Sequence, residues 1–471
     1  MLLLYRRQKR LKWLETMDMD RPILEKFKKS PYVTHLFENA RKLAIYPENR
    51  ESLNYGRYFI EKMKDKLEEL IVHANFKEND DRSSTRSDVS LRESNDTATA
   101  PGLLSSTLFG HFMPFESCTP FQNLTSLRLH RISLRHCADT WCKFIDFNKI
   151  QSLLVYQCPA ADSFLGQLSK ANSLPKCLRV LELQHRDNLE NEASIALDGL
   201  LCLTSGLTIL TIDLQNVKTL PGVAGIIRHG KTLERLSVHC SNEAVPNPML
   251  GDMSCDAEEH VFGTEDFDKI CSAASKLEQL SCAWPNRSLI RSASEDWVAY
   301  ETSVSKLRRL VTLQITTWPS NKPSSSLLPR PFYEQLLQGA STRLFDSTAN
   351  RTPPEDPGPL FMVADPGASD TETEPSNLLP PSKLRLIAFG ISDKIYEREE
   401  SQNQILYLRS SALDAEGKSK IYATPVSWCA RKYLESRSEV LDFVLSRETR
   451  LPCKGERADM ESRFGFVEDD M

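Results

Sequence analysis

One stretch of the chain spells a phosphate-binding pattern. GIIRHGKT (225–232) satisfies G-x-x-x-x-G-K-[ST], in which backbone amides and a lysine cradle a phosphate. That chemistry requires the loop to run from a strand into a helix, so that the helix N-terminus meets the anion. Here the order is inverted: Gly225 to His229 reads as the end of a helix, Gly230 as its C-cap, and Lys231-Thr232 as the lead into a strand. No hydrophobic strand ending in a metal-binding Asp can be picked out as a partner. Nucleotide binding by residues 225–232 is therefore the lesser reading. A second cluster, His130, His136, Cys137 and Cys142, has zinc-type ligands within 13 residues but no paired ligand spacing. No GxSxG, HExxH or GxGxxG occurs, and nothing brings two carboxylates together with a reason for a shifted pKa. The expectation is a protein that is not an enzyme and uses no cofactor or metal.

What would position these residues is a repeat. An aliphatic residue, two variable residues, a Leu or Ile, one variable residue and another aliphatic recur ten times. The phrase reads LTSLRL from Leu124, IQSLLV from Ile150, LRVLEL from Leu178, LTILTI from Leu207 and LERLSV from Leu233. These starts are 26, 28, 29 and 26 residues apart, the period of a leucine-rich repeat. Looser copies are ARKLAI from Ala40, LEELIV from Leu67, LEQLSC from Leu277, LVTLQI from Leu310 and LRLIAF from Leu384. In a strand, positions 4 and 6 face inward together while 3, 5 and 7 face outward. The return segments ASIALDGLLCL (193–203) and VAGIIRHG (223–230) have helical apolar spacing. Three or four buried aliphatics cannot offset the entropy of ordering about 27 residues, so repeats must stack. The expected fold is α/β: a leucine-rich-repeat solenoid, or horseshoe, with a parallel sheet on its concave face and helices outside, interrupted by disordered inserts.

Composition agrees with that class. The chain is 40% hydrophobic with a net charge of −5 and both signs interspersed, so no field advertises a nucleic-acid or membrane partner. No apolar run approaches transmembrane length, and MLLLYRRQKRLKWL places its apolar segment before its basic one, the reverse of a secretory signal. The twelve Cys include no CxxC pair, so a disulfide framework is not expected, and the sequons at Asn95, Asn123, Asn286 and Asn350 are expected to go unused. The expected compartment is cytoplasmic or nuclear.

Breaks in the period divide the chain. Residues 1–37 read as a helical N-terminal cap, 38–76 as the first two repeats and 77–110 as a disordered insert. Residues 111–317 hold the central repeats with a loop insert at 241–262. Residues 318–382 form a Pro/Ser/Asp-rich disordered insert, in which the acidic Ser/Thr segment 369–376 is a candidate for phosphorylation. Residues 383–451 read as the last repeat and a mixed strand and helix cap, and 452–471 as a polar tail. The basic run from Arg6 to Lys12 reads as a solvated helix face, with a localisation signal as its sharper alternative.

Positions 3, 5 and 7 define the candidate binding surface. They give Ser126, Arg128 and His130, then Ser152, Leu154 and Tyr156, then Val180, Glu182 and Gln184. Ile209, Thr211 and Asp213 follow, then Arg235, Ser237 and His239. The residues singled out for contact are Arg128, His130, Tyr156, Glu182, Gln184, Asp213, Arg235 and His239. Trp284, just past a strand, would extend the strip. A mixed polar and aliphatic strip suits a protein or peptide partner, and without a basic stripe it does not suit nucleic acid.

The phrases HGKTLERLSVHC (229–240) and KLEQLSC (276–282), the LLYRR opening, SPYVTHLFENARKLAIYP (30–47) and KLRLIAFG (383–390) resemble those of fungal leucine-rich-repeat proteins, many of which are F-box proteins. The resemblance spans most of residues 30–445 outside the inserts. It implies a substrate receptor of a cullin–RING ubiquitin ligase, in which an F-box grips the Skp adaptor and the repeats select the substrate. Before the first repeat there is no Leu-Pro start and no three-helix F-box pattern. Residues 1–37 would then be an F-box remnant or a post-F-box region.

Overall fold

All ten phrases form strands, and β1 to β7 in one unit and β10 to β12 in the other pair in register. The computed structural model describes residues 11–16, 25–26, 29, 37–74, 108, 121–170, 172–187, 191–242, 258–285, 293–317, 330–349, 383–390, 405–413, 417 and 419–426. The chain divides into two compact units, the first carried by Met1–Leu233 and Ser237–His260, the second by Glu234–Leu236 and Val261–Arg447. The fold is mixed α/β: in each unit, mostly parallel strands follow one another in sequence order, with helices between them.

The first unit runs through β1 (Trp13–Thr16), β2 (Lys42–Ile45), β3 (Glu69–His73), β4 (Ser126–His130), β5 (Ser152–Tyr156), β6 (Val180–Arg186), β7 (Ile209–Gln215) and, from Ser237 on, β8 (Arg235–Asn242). A two-residue strand, β9 (Glu258–Glu259), returns antiparallel to the end of β8. Between the strands lie α1 (Arg50–Met63), α2 (Ala138–Phe144), α3 (Ala161–Leu168), α4 (Glu192–Leu203) and α5 (Val223–His229). The helices α2 to α5 pack each against the next. The second unit holds the parallel strands β10 (Gln279–Cys282), β11 (Thr312–Ile315) and β12 (Leu386–Phe389). Its antiparallel strands β13 (Ile405–Leu413) and β14 (Ser419–Pro425) follow. Its helices are α6 (Thr264–Ala273), α7 (Glu295–Val304) and α8 (Arg330–Ala349).

The phrase explains the stacking residue by residue. Every residue at positions 1, 4 and 6 of the ten phrases is at most 2% exposed, from Ala40, Leu43 and Ile45 to Leu384, Ile387 and Phe389. Position 3 pairs with position 3 across the sheet: Lys42 with Glu69, Glu69 with Ser126, Ser126 with Ser152, Ser152 with Val180 and Val180 with Ile209. From β1 to β7 the carbonyl of position 2 accepts two backbone N–H groups from the next strand. The Glu68 carbonyl takes those of Thr125 and Ser126, Thr125 those of Gln151 and Ser152, and Gln151 those of Arg179 and Val180. The entry to each strand is thereby pinned, which forbids the one-residue slip that would turn Leu outward.

The return helices are local products of their own sequence. Helix α1 starts on a capping box: Asn49 accepts from the Ser52 N–H at 2.8 Å, and the Ser52 hydroxyl meets the Asn49 N–H at 3.0 Å. It then buries Leu53, Phe59, Ile60 and Met63. In the second unit aromatics take over the aliphatic role. Phe267 stacks on Tyr300 at 3.9 Å, and Trp284 packs edge-on against Trp297 at 4.8 Å.

Several expectations are corrected. The N-terminal segment read as helical carries strand β1, pairing Trp13 with Lys42 and Leu14 with Leu43. LKWLET from Leu11 is in effect a further phrase, hidden because Thr16 stands where an aliphatic was sought. The insert 318–382 contains the 20-residue helix α8, which buries Tyr333, Leu337, Leu344 and Phe345. The segment 241–262 holds the end of β8 and all of β9. Trp284 is fully buried in the aromatic cluster and contributes nothing to an exposed strip. The strands expected in the C-terminal cap are β13 and β14. Segments 369–376 and 452–471, the part of the C-terminal cap beyond 426, nearly all of 77–110, and the basic run apart from Leu11 and Lys12 lie outside the described residues. Among the described residues no helix is long and apolar enough to cross a membrane.

Candidate functional site

The outward positions divide into two classes. At positions 3 and 5 of β4 to β7, Ser126, Arg128, Ser152, Val180, Glu182, Ile209 and Thr211 are half-exposed, while Leu154 is buried. Arg235, at position 3 of β8, is half-exposed as well, and Ser237 at position 5 is buried. Position 7 behaves differently. Tyr46, His73, His130, Tyr156, Gln184, Asp213 and His239 are between 3% and 8% exposed.

Register causes this burial. Strands lie about 4.8 Å apart, so long polar side chains at one level of a parallel sheet must touch their neighbours. The pairing aligns His73 with His130, His130 with Tyr156, Tyr156 with Gln184 and Gln184 with Asp213. The result is a continuous ladder. Tyr46 and His73 rings lie 5.8 Å apart, His73 lies on His130 at 3.9 Å, and His130 meets Tyr156 edge-on at 6.0 Å. The Tyr156 hydroxyl donates to Glu182. The ladder then turns from aromatic to ionic. Gln184 Nε2 donates to Asp213 Oδ2 at 2.7 Å, and Asp213 Oδ1 meets His239 Nδ1 at 3.0 Å. His239 Nε2 meets Glu259 Oε1, from β9, at 2.9 Å.

Of the eight residues singled out from the sequence, the structure brings Tyr156 to Glu182 and joins Gln184, Asp213 and His239 in one network. His130 belongs to the aromatic part of the ladder. Arg128 sits one alternation away on β4, and Arg235 stands four residues before His239 on β8. Sequence reasoning missed Tyr46, His73 and Glu259. Tyr46 and His73 occupy position 7 of the two looser phrases and were within reach of the same rule. Glu259 arrives from a segment without a repeat signal.

Both ring nitrogens of His239 face carboxylate oxygens, so neither is available to take a proton from a hydroxyl or thiol. The neighbouring Cys240 thiol is pushed up strongly by burial, reinforced by Asp213 and Glu259. Burial also lifts Cys142 to about 11 and Cys158 to about 12, which leaves both as protonated, inert thiols. Among the described residues no group of three His, Cys, Asp or Glu is placed to hold a metal ion, and His136 is exposed and separate from His130. No disulfide joins any two of the described cysteines.

The phosphate-loop pattern is occupied by packing. Gly225 lies in α5 against α4, where an added Cβ would stand 2.8 Å from Leu201 Cβ. Arg228 Nε donates to the Thr204 carbonyl at 2.8 Å. The buried His229 ring accepts from Leu207 N–H at 3.3 Å and meets the Leu201 carbonyl at 3.2 Å. Thr232 Oγ1 donates to the Leu207 carbonyl at 2.7 Å. Gly230 is the C-cap as expected, in the right-handed conformation. The segment ends a helix and opens β8, the inverse of the strand-to-helix order that the pattern requires.

Compared with known proteins, the chain matches no protein-family model and shows no significant match among curated sequences.

Proposed function

We propose that the chain is a leucine-rich-repeat solenoid that holds a protein partner on the outward positions 3 and 5 of its sheet. The observation that carries this reading is the pairing of like phrase positions across β2 to β7, which lays the half-exposed Ser126, Arg128, Ser152, Val180, Glu182, Ile209 and Thr211 in adjacent rows. Such rows combine aliphatic area with separated charges of both signs, the composition of a protein-binding patch. Position 7, occupied internally by its ladder, stiffens the surface and contributes less contact. By its resemblance to fungal repeat proteins, the chain serves as a substrate receptor linked to the Skp adaptor and a cullin, in the cytoplasm or nucleus.

The test is affinity capture with the full chain, native against Arg128→Glu/Ile209→Glu, scored for the Skp adaptor, a cullin and any further stoichiometric protein. The expected result is a partner captured by the native chain and lost in the variant, with the thermal midpoint unchanged. Equal capture by both chains would remove the sheet face from consideration. A partner captured without the Skp adaptor or cullin would retain the scaffold and discard the ligase link.

A further inference from the structure

The ionic end of the ladder ties three strands together through one imidazole. Asp213 comes from β7, His239 from β8 and Glu259 from β9, and each is largely buried, with side chains 7%, 10% and 14% exposed. Ionised carboxylates only accept hydrogen bonds, so with both Asp213 and Glu259 ionised a ring bonded to each through its two nitrogens would donate twice, as the imidazolium. Gln184 Nε2, donating to the other oxygen of Asp213, fixes that carboxylate in place. Two carboxylates face the ring from neighbouring strands, Asp213 from β7 at Nδ1 and Glu259 from β9 at Nε2. Removing the ring proton would set a nitrogen lone pair against a carboxylate inside a poorly solvated site, with two negative charges uncompensated by it.

Strand β9 is short enough for this to matter. It consists of Glu258 and Glu259, paired with Asn242 and Ser241. Beyond the imidazole contact it is anchored by His260, whose N–H donates to the Cys240 carbonyl at 2.8 Å and whose ring meets the Val217 carbonyl at 2.7 Å. We propose that His239, as an imidazolium shared by Asp213 and Glu259, is a proton-operated lock that holds β9 against the end of β8. Protonated, it closes the last rung of the ladder; deprotonated, it releases β9 while β4 to β7 stay paired. The lock adds a regulatory device and does not depend on what the sheet face binds.

Hydrogen exchange on the full chain tests it. Exchange would be followed by mass spectrometry from about pH 5.5 to about pH 9, across the range in which imidazole titrates. Rates are normalised to the intrinsic pH dependence and to a reference peptide from β5 and β6. The peptide covering 258–262 is expected to lose protection as pH rises, by up to about tenfold per pH unit, while the reference stays constant. In His239→Gln the same peptide is expected to exchange at the open rate at every pH. Should that variant fail to fold, Glu259→Gln takes its place and is expected to flatten the pH dependence. Normalised protection of 258–262 that is flat in the native chain, or pH-dependent loss that survives in the folded variant, would overturn the proposal.

Discussion

His229 shows how one side chain can belong to a suggestive motif and serve only the fold. Its ring accepts from the Leu207 N–H, which places its own proton on Nε2, aimed at the Leu201 carbonyl. The neutral ring thus joins the end of α4 to position 1 of the β7 phrase. Burial, the largest cause, holds its proton affinity below the ordinary 6.5, and the nearby Arg228 lowers it further. His185 is shifted down by burial too. In unfolded chain both rings take up a proton near pH 6.5, so between that value and the lowered native ones the unfolded state binds more protons. Stability therefore rises with pH over this window: it is fully present above about pH 7 and declines as pH falls through 6.5 toward the native values. Urea midpoints at about pH 8 and about pH 5.5 should show this loss, and His229→Gln should reduce it while lowering the midpoint at pH 8. An unchanged pH dependence in the variant would assign the slope elsewhere. Lys231, the catalytic lysine of the pattern on paper, is exposed, and Lys231→Ala should leave the midpoint within about 0.5 kcal/mol of native.

At the scale of the element, glycine separates packing from propensity. Gly225 in α5 lets that helix approach α4, since a Cβ there would stand 2.8 Å from Leu201 Cβ, whereas a Cβ at Gly166 in α3 meets nothing within 4 Å. Gly225→Ala should cost about 1–3 kcal/mol through the clash. Gly166→Ala should stabilise by about 0.5–1 kcal/mol through helix propensity alone. Thermal or chemical melts of the two variants should move in opposite directions; a shared sign would mean that α5 shifts to make room. The same contrast marks what was legible in the sequence. Strands could be read because positions 1, 4 and 6 are fixed by burial and their spacing is written in Leu and Ile. Strand β1 could not, because Thr16 fills its sixth position and the surrounding charges suggest a helix. Helix α8 was hidden by the Pro- and Ser-rich stretches around it, although Tyr333, Leu337, Leu344 and Phe345 carry a helical spacing. The outward direction of position 7 was readable, but its ladder was not. Contact between His73 and His130, 57 residues apart in sequence, exists only once the register is set.

At the scale of the whole molecule, a parallel sheet built from repeats leaves edges that must be guarded. In the second unit, α8 supplies the guard: Gln338 Nε2 donates to the Ala423 carbonyl at 2.7 Å, and Thr342 Oγ1 accepts from the Ala423 N–H at 3.0 Å, so side chains occupy the backbone of β14. In the first unit the guard is β1, four residues that cover β2. The Lys12 carbonyl accepts from the Arg41 N–H at 2.8 Å and the Lys42 N–H at 3.0 Å, the same pin that joins the strands from β2 to β7. Trp13 is 48% exposed, so β1 adds little apolar burial at that side chain, while Leu14 is buried beside Leu43. The value of β1 therefore lies in occupying hydrogen bonds that would otherwise be offered to another chain. Removing residues 1–16 would bare the backbone of Lys42–Ile45, a strand whose Leu43, Ala44 and Ile45 are at most 1% exposed in the intact protein. The truncated protein should keep its far-ultraviolet circular dichroism, because the inner strands retain their partners. It should also form concentration-dependent dimers and larger species on size-exclusion chromatography with light scattering. Leu14→Asp in the full chain should do the same to a lesser degree, since it frays β1 without deleting it. A truncated protein that stays monomeric at high concentration with an unchanged melting temperature would show that the charged side chains of Lys42 and Glu69, paired at 2.6 Å, already suffice to keep that edge closed.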